Sequence, residues 1–363
     1  MANDPERDLN ALPKAHLHLH FTGSMLPETL RDLAAKHSVR LPSALLTGNP
    51  LRVPADQRGW FRFQRLYDAA RNCVRDESDM RRLVDEAIET DAQEGSGRLE
   101  FQVDPTSYAA RLGGITPTLE IVLDQARASA RAHNVDVGVI VAASRMRHPL
   151  DARTLARLAA RHAGDGPGEV MGFGLSNDER SGATAQFGPA FAIAARAGLL
   201  LVPHGGELLG PAHIRQVIAS LHPDRLGHGV RAAEDLTLLD DIVRRGIALE
   251  VCPQSNVSLG VYRDAAHVPL RTLVAAGANV ALGADDPLLF GSRLTAQYEV
   301  LRRAGWSDAE LAALARSSVQ ASAAATDVKA RLYDGIDAWL REPGSLPPIA
   351  PAGDRAAPAA ARH

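Results

Sequence analysis

The stretch LLLVPHGGE, residues 199–207, carries the pattern on which the fold prediction depends. It begins with branched apolar residues that do not alternate with polar ones, as is typical of a parallel strand buried on both faces. It ends in His204, two glycines and Glu207, and paired glycines let backbone approach a ligand closely. The stretch therefore predicts a buried strand whose carboxyl end carries chemistry.

Seven further apolar segments are similar to this one, and stretches with helical spacing separate them. Ser78–Glu94 and Asp151–Arg161 are two of those stretches. A strand followed by a helix, repeated about eight times, predicts an α/β fold, namely a (β/α)8 TIM barrel. The predicted strands are Ala15–His20, Arg98–Asp104, Asp136–Ser144, Val170–Ser176, Leu199–His204, Arg225–His228, Ile247–Cys252 and Asn279–Asp285.

Length and composition agree with one large domain. The chain has 363 residues, of which 45% are hydrophobic and 23% charged, and a barrel takes about 250 residues. We expect residues 1–341 to form the barrel domain, with extra helices after the first strand, in the segment 26–75. The segment 342–363 is rich in Pro and Ala and is expected to be disordered. Four aromatic residues of the extra segment could form an apolar lid or could pack in the core: Trp60, Phe61, Phe63 and Tyr67.

Charge and cysteine content exclude several classes of partner. The formal net charge is −3 and the pI about 6.5, so the chain lacks the basic surface that nucleic acid requires. No apolar run is long enough for a membrane span, and the charged N-terminus lacks a secretory core, so we expect a cytoplasmic protein. Cys73 and Cys252 are far apart and predict neither a disulfide framework nor a cysteine zinc site. The oligomeric state is left open.

Two histidines in the first predicted strand point to a metal. His18 and His20 are two residues apart, so an extended strand directs both side chains to the same side. In a barrel strand that side can be the interior, and two imidazoles there form half of a metal site. On its own, this pair is a weak signal, and histidines of this kind are more often part of the core.

Further polar residues stand at the ends of later strands. His204 ends the fifth strand, His228 lies between glycines at the end of the sixth, and Asp285 and Asp286 end the eighth. Each has a structural explanation when taken alone, such as a core histidine, a helix N-terminal Glu207 or solvated loop acids. Adjacent carboxylates, however, repel each other unless a cation or a hydrogen-bond donor engages them.

Together these residues predict one site. They fall at the carboxyl ends of strands one, five, six and eight, which is the face that carries the active site in barrel enzymes. Three histidines and an aspartate supply the nitrogen and oxygen ligands that suit Zn²⁺, with a position left for water. We therefore expect one zinc ion per chain and a water made acidic enough to react near neutral pH.

In five motifs, the chain resembles the adenosine deaminase family of the amidohydrolase superfamily. The resemblance covers roughly residues 11–335. The motifs are Pro13-Lys14…His18-Leu19-His20…Gly23, His204-Gly205-Gly206-Glu207, Arg225-Leu226-Gly227-His228-Gly229, Cys252-Pro253-Gln254-Ser255-Asn256 and Asp285-Asp286-Pro287-Leu288.

The resemblance implies a role for each matching residue. The zinc ligands would be His18, His20, His204 and Asp285. Glu207 would protonate the ring nitrogen beside the amine-bearing carbon, His228 would orient the attacking water, and Asp286 would bind the imidazole-ring nitrogen of a purine. The implied reaction is hydrolytic deamination of a cyclic amidine. The His/Cys/Cys site of the nucleic-acid base deaminases is absent from the sequence.

Three positions depart from the family pattern. Thr22 stands where the family carries an acid that binds the ribose 5′-hydroxyl. Asn177 stands where a glycine presents its backbone amide to the purine, and Asn tolerates similar backbone angles. His16 stands where Glu is common, and we expect it to face away from the ligands.

The loss of the acid at Thr22 favours a nucleoside that carries a larger group at its 5′ position. The substrate known in this family with that shape is 6-aminodeoxyfutalosine, of the futalosine route to menaquinone. Adenosine and adenine are the alternatives. A carboxylate-ended extension would need arginines, and four are candidates by position: Arg62, Arg65, Arg145 and Arg147.

Two other classes of function compete with a deaminase. The first is an amide or ester hydrolase with two metals bridged by a carboxylated lysine. None of the three lysines, Lys14, Lys36 and Lys329, lies at the end of a predicted strand. The second is a barrel that binds a ligand without catalysis, and the intact set of acid, histidines and ligands argues against it.

Overall fold

Eight parallel strands form one sheet whose order follows the chain from β1 to β8. The computed structural model describes residues 6–47 and 49–344. All eight predicted strands are confirmed, and the third and sixth have the predicted bounds. The strands are β1 Lys14–His20, β2 Ser96–Val103, β3 Asp136–Ser144, β4 Glu169–Ser176, β5 Leu200–Gly205, β6 Arg225–His228, β7 Ala248–Val251 and β8 Val280–Leu282.

The sheet closes between its first and last strands. Leu19 pairs in parallel with Asp285, and the His20 amide donates to the Asp285 carbonyl at 3.0 Å. The last strand ends three residues before its predicted end, because Asp285 adopts a left-handed backbone with φ of 62°. The predicted TIM barrel is thus confirmed, and its closure lies beside the predicted metal ligands.

Fourteen α-helices surround the barrel in the described part of the chain. The sequence marks several of their starts: Asp76 and Ser307 form capping boxes, and proline stands at the first turn of others. They are α1 Pro27–Lys36, α2 Trp60–Arg71, α3 Glu77–Gln93, α4 Ile115–His133, α5 Pro149–Arg161, α6 Gly188–Arg196, α7 Pro211–Leu221, α8 Leu236–Arg245, α9 Pro253–Ser258, α10 Leu270–Ala275, α11 Pro287–Phe290, α12 Leu294–Arg303, α13 Asp308–Ala321 and α14 Thr326–Arg341.

The predicted extra helices after the first strand are α1 and α2. On α2, Phe63 stacks on Phe290 at a ring distance of 5.3 Å and also contacts Trp60 and Tyr67. These three α2 aromatics line the cavity at the top of the barrel and pack against one another, and their role as a lid stays a prediction. Phe61 is different, because 91% of it is exposed, so it does not pack in the core.

One continuous apolar core fills the space between the strands and the helices. No helix among residues 6–47 and 49–344 combines the length and apolar character needed to cross a membrane. The last helix ends at Arg341. The predicted disordered tail lies, from residue 345 onward, outside the described residues.

Candidate active site

The carboxyl ends of three strands bring four histidines together. His18 and His20 lie on β1, His204 on β5 and His228 on β6. The centre of the His18 ring lies 5.2 Å from that of His20, 4.9 Å from that of His204 and 4.7 Å from that of His228. Residues that are distant in sequence thus converge, as predicted, at the end of the barrel where Asp285 closes it.

Asp285 and the two histidines of β1 have a spacing that suits ligands of one metal ion. The Asp285 Oδ1 atom lies 3.3 Å from His20 Nε2 and 3.6 Å from His18 Nε2. Two ligands of a tetrahedral zinc ion are separated by roughly 3.3 Å when the metal–ligand distances are about 2.0–2.1 Å. The Nε2 atoms of His18 and His204 are buried and lack a hydrogen-bond partner. Buried polar atoms without partners are costly, and a cation would satisfy these.

Burial keeps most of these imidazoles neutral. Desolvation lowers the pKa of His20 and holds that of His204 well below the ordinary value. The pKa of His228 falls to about 3, again mainly through burial. A neutral imidazole has a free lone pair, which is the form that binds a metal. The adjoining imidazoles of His18 and His20 hold the pKa of Asp285 well below the ordinary value despite its burial, so that side chain is a carboxylate.

An irregularity in β1 separates His16 from the cluster. The register of β1 shifts between His16 and Leu19, so His16 does not face the same way as His18 although they are two residues apart. Its Nδ1 atom donates to Asp91 at 3.0 Å, and its Nε2 atom accepts from the Ala284 amide at 3.1 Å. His16 is therefore a structural histidine, as expected.

A carboxylate that the sequence analysis missed orients His18. Glu250 on β7 accepts a hydrogen bond from His18 Nδ1 at 2.7 Å and is fully buried. This bond fixes the tautomer and leaves Nε2 free to face the other ligands. A signal was available in the sequence, because Glu250 is a charged residue within an otherwise apolar strand.

Glu207 lies beside the cluster and is buried. Its Oε2 atom is 3.7 Å from His228 Nε2. Burial raises the pKa of its carboxyl well above the ordinary value, and the negative charges of Asp285 and Glu179 add to that effect. Gly206 allows this turn, since its φ is +83° and a Cβ atom there would meet Ile214 at 2.6 Å. Glu207 can therefore hold a proton near neutral pH and deliver it.

Asp286 approaches the site from the turn after β8. Burial, together with the charge of its neighbour Asp285, raises its pKa well above the ordinary value. Its Oδ1 atom is buried and has no hydrogen-bond partner. Gly23 makes room for it, because a Cβ atom at position 23 would fall 1.8 Å from that oxygen. A protonated Asp286 can therefore donate a hydrogen bond into the cavity.

The cluster forms the floor of a cavity at the top of the barrel. Thr22, Asn177 and the α2 aromatics contribute to its walls. Asn177 has a φ of +80° and so adopts the glycine-like backbone expected of it. Thr22 is buried, and its hydroxyl forms a hydrogen bond with the hydroxyl of Tyr108. Gln102 also lines the cavity, and both atoms of its buried amide lack partners. The sequence analysis missed Gln102 and Tyr108.

A second depression adjoins this cavity on the outside of α2. Seven residues line both: Trp60, Gln64, Arg71, Asp104, Ser107, Ser144 and Asn177. The outer depression also contains Arg65, Arg147 and the exposed side chains of Phe61 and Met146. Arg62 does not line either cavity.

Arg145 was expected to be a candidate for binding a carboxylate-ended substrate, but it is not available to one. It is 2% exposed, and its guanidinium donates to Thr184 Oγ1 at 3.0 Å and to the His204 carbonyl at 2.8 Å. It supports the backbone of a candidate ligand and does not reach the outer depression.

Two of the lysines lie away from the histidine cluster, whereas Cys252 lies beside it. Lys14 donates to the carbonyls of Leu9 and Leu12 at the opposite end of β1, whereas Lys36 pairs with Asp79 outside the barrel. Cys252 does lie near His18, His228 and Asp285. Burial, with the charges of Asp285 and Glu250, raises the pKa of its thiol well above the ordinary value.

Comparison with known proteins places this geometry in a family. The model of the family described as "Adenosine deaminase" matches residues 13–339. A Streptomyces virginiae protein named "Putative adenosine/adenine deaminase" is 61% identical over 336 residues, which cover 92% of this chain and 98% of that protein. An Acidothermus cellulolyticus protein named "Aminodeoxyfutalosine deaminase" is 32% identical, with 82% and 84% covered.

A solved structure agrees in fold and in sequence. The adenine deaminase of Arthrobacter aurescens is similar over 91% of this chain and 99% of its own, with a TM-score of 0.82 and 30% identity. The predicted resemblance is therefore confirmed, and the chain is a hydrolytic deaminase that belongs to the adenosine deaminase family.

Proposed function

We propose that this chain uses one zinc ion, bound by His18, His20, His204 and Asp285, to replace the exocyclic amine of a 6-aminopurine with oxygen. One observation carries the proposal. The Nε2 atoms of His18 and His204 are buried without hydrogen-bond partners, and that of His18 lies 3.6 Å from the Asp285 carboxylate at the floor of a cavity. Glu207 lines the same cavity, and burial raises the pKa of its carboxyl well above the ordinary value. A cation completes that arrangement, and a purine-sized ring would occupy the cavity above it.

The chain's own residues supply the proton transfers. A bound zinc ion would polarise a water molecule and increase its acidity near neutral pH. Glu207 gives its proton to the ring nitrogen next to C6, which makes that carbon electrophilic. His228, neutral at 3.7 Å from Glu207, accepts a hydrogen bond from the attacking water and orients it. The attacking water gives up both of its protons: one restores Glu207, and the other goes to the departing amine. The C6–N bond then breaks, the water oxygen stays on the ring, and ammonia leaves.

Asp286 fixes the orientation of the ring. Because its carboxyl pKa is raised, it is a hydrogen-bond donor, and the imidazole-ring nitrogen of a purine is an acceptor. The Asn177 amide adds a contact from the opposite loop. These contacts select a bicyclic 6-aminopurine over a single aminopyrimidine ring.

The catalytic role of Glu207 is tested by Glu207→Gln. Glutamine keeps the shape of the side chain but cannot deliver the proton, so we expect a loss of turnover of about 10²–10⁴-fold with one zinc retained per chain. Ammonia release and zinc content are measured together, and Glu169→Gln, at the amino end of β4, is the control. Normal turnover by the Glu207→Gln enzyme would end this mechanism.

For the rest of the substrate we propose a nucleoside with an extended, anionic 5′ substituent, such as 6-aminodeoxyfutalosine. The support is that the two adjoining cavities together extend from the proposed metal site to Arg65 and Arg147, which lie beside two exposed apolar side chains. An aromatic carboxylate would match that surface, because guanidinium groups bind carboxylates in paired hydrogen bonds. The Acidothermus relative bears the name of this activity.

Adenine or adenosine is the second candidate, and a specific contact favours it. The Thr22 hydroxyl is bonded to Tyr108, so the side chain that replaces the family's acid does not simply leave open space. The names of the Streptomyces relative and of the Arthrobacter structure agree with this smaller substrate.

Values of kcat/KM for adenine, adenosine and 6-aminodeoxyfutalosine separate the two candidates. We expect the highest value for 6-aminodeoxyfutalosine. Replacing Arg65 and Arg147 together with methionine should reduce it by about tenfold or more, since a hydrogen bond to a charged group contributes about 1.5–3 kcal/mol. The value for adenine should not change. A strong preference for adenine or adenosine would establish the second candidate.

A further inference from the structure

The loop that carries Glu207 has no regular secondary structure of its own. After β5 ends at Gly205, the chain bends through residues 206–209 before α7 begins at Pro211. A loop of this kind leaves its backbone amides without helix or sheet partners, and such amides are costly when buried. The position of the Glu207 carboxylate depends on whatever holds these amides.

A single buried carboxylate holds three of them. Glu179 Oε1 accepts from the Glu207 amide at 3.0 Å. Its Oε2 atom accepts from the amides of Leu208 and Leu209, both at 2.8 Å. Glu179 is 2% exposed, so water does not compete for these bonds. An ionised carboxylate can accept all three because each oxygen has two lone pairs.

Glu179 reaches the Glu207 loop from a different part of the barrel. It follows β4, two residues after Asn177, whose left-handed backbone turns the chain. From the other side, Arg231 donates to the Leu208 carbonyl at 2.5 Å and pairs with Glu234. The Glu207 loop is therefore clamped between a carboxylate that binds its amides and a guanidinium that binds one of its carbonyls.

We infer that Glu179 is a positioning residue for the deamination: it sets the place of the Glu207 carboxylate without touching the substrate. The inference rests on the proposed role of Glu207 as proton donor. A shift of about 1 Å in a catalytic group can reduce a rate by about 100-fold while the substrate still binds. The expected signature is therefore a loss in kcat with little change in KM.

The test is Glu179→Gln. Glutamine has one oxygen in place of two, so it cannot accept from all three amides, and its NH2 group would face a donor. We expect kcat to fall by about 10–100-fold, KM to change by less than about threefold, and zinc to remain at one per chain. Hydrogen exchange at the amides of residues 207–209 should accelerate. The matched control is Glu169→Gln, which weakens a bond to one amide, that of Gly166, at the other end of β4 and should leave kcat unchanged.

A double-mutant cycle with Glu207→Gln distinguishes positioning from general damage. If Glu179 acts through Glu207, adding Glu179→Gln to the Glu207→Gln enzyme should reduce kcat by less than about twofold further, because coupled residues are not additive. Full additivity, or an unchanged kcat in the single variant, would overturn the inference. An unimpaired Glu207→Gln enzyme would instead refute the proposed function.

Glu179→Asp serves if the glutamine variant does not fold. The shorter side chain keeps the charge but cannot span the same distance to all three amides, so the same reduction in kcat and the same non-additivity are expected. Wild-type kcat in a folded Glu179→Asp enzyme would also overturn the inference.

Discussion

Glu207 and Glu100 are both buried inside one barrel, yet the pKa values of their carboxyl groups shift in opposite directions. Burial raises that of Glu207, and the nearby charges of Asp285 and Glu179 reinforce the rise. Burial would also raise that of Glu100, but the charges of Arg225 and Arg98 lower it below the ordinary value. The two residues mark two regions of the barrel interior with different electrostatics.

The lower region is a chain of alternating charges. Arg98 lies 3.0 Å from Glu100, Glu100 lies 2.6 Å from Arg225, and Arg225 lies 2.8 Å from Glu250. In the upper region, by contrast, the buried His204 Nε2 and Asp286 Oδ1 atoms have neither a hydrogen bond nor an ion pair among the described residues. Buried polar groups therefore serve two purposes in this barrel. The lower groups neutralise one another's charge, whereas the upper groups are arranged to bind a cation and a substrate.

The comparison predicts that a change in the upper region affects chemistry most strongly. His204→Ala removes a proposed ligand, so we expect bound zinc to be lost and turnover to fall by at least about 10³-fold, since a metal contributes several kcal/mol to such a reaction. Zinc content and ammonia release are the measurements. A variant that retains both zinc and turnover would remove His204 from the ligand set.

A change in the lower region should affect stability instead. Glu100→Gln leaves Arg98 and Arg225 with one fewer buried counter-charge, and breaking such a pair costs about 3–5 kcal/mol. Denaturant unfolding should show that loss, while kcat per folded molecule stays at the wild-type value. A marked fall in kcat at unchanged stability would mean that the two regions are not distinct.

Glu250 contacts both regions, so its replacement should affect both zinc binding and stability. It accepts from His18 Nδ1 and pairs with Arg225. Loss of a carboxylate behind a metal-bound histidine lowers metal affinity by about 10–100-fold. We expect Glu250→Gln to weaken zinc binding to that extent in a competition assay and also to reduce stability. Unchanged zinc affinity would separate Glu250 from the metal site.

The smallest expected effect is the pH dependence that follows from the raised pKa of Glu207. The proposed reaction needs Glu207 protonated, so activity should persist above pH 4–5, where an exposed glutamate has lost its proton. It should then fall by about tenfold per pH unit once the pH passes the raised pKa. A profile of kcat/KM against pH measures this. Activity that disappears near pH 4–5, as for an exposed carboxyl, would contradict the assignment.

The sequence was sufficient to predict the barrel because each buried strand and each helix leaves a local pattern. It also placed His18, His20, His204 and Asp285 at one end, because the carboxyl ends of parallel strands meet there. Periodicity alone did not identify the shift in β1 that turns His16 toward Asp91. That orientation was expected from the family pattern.

The missed residues act through contacts between distant segments. Glu179 binds backbone amides that are 28–30 residues away in the sequence, and the residues next to it in the sequence do not indicate these bonds. Arg145 resembles a surface arginine in the sequence, but a carbonyl 59 residues away makes it a buried support. Glu250 and Glu100 did leave a signal, since charged residues in buried strands must have partners.

We propose that the upper region holds one zinc ion that deamination requires, and a metal titration tests this directly. Metal-free protein, prepared with a chelator, is titrated with zinc while bound metal and ammonia release from a 6-aminopurine are measured. We expect no turnover without metal, and activity that rises in proportion to bound zinc until one ion per chain is reached. Full turnover by the metal-free protein, or activity that saturates only at two ions per chain, would contradict it.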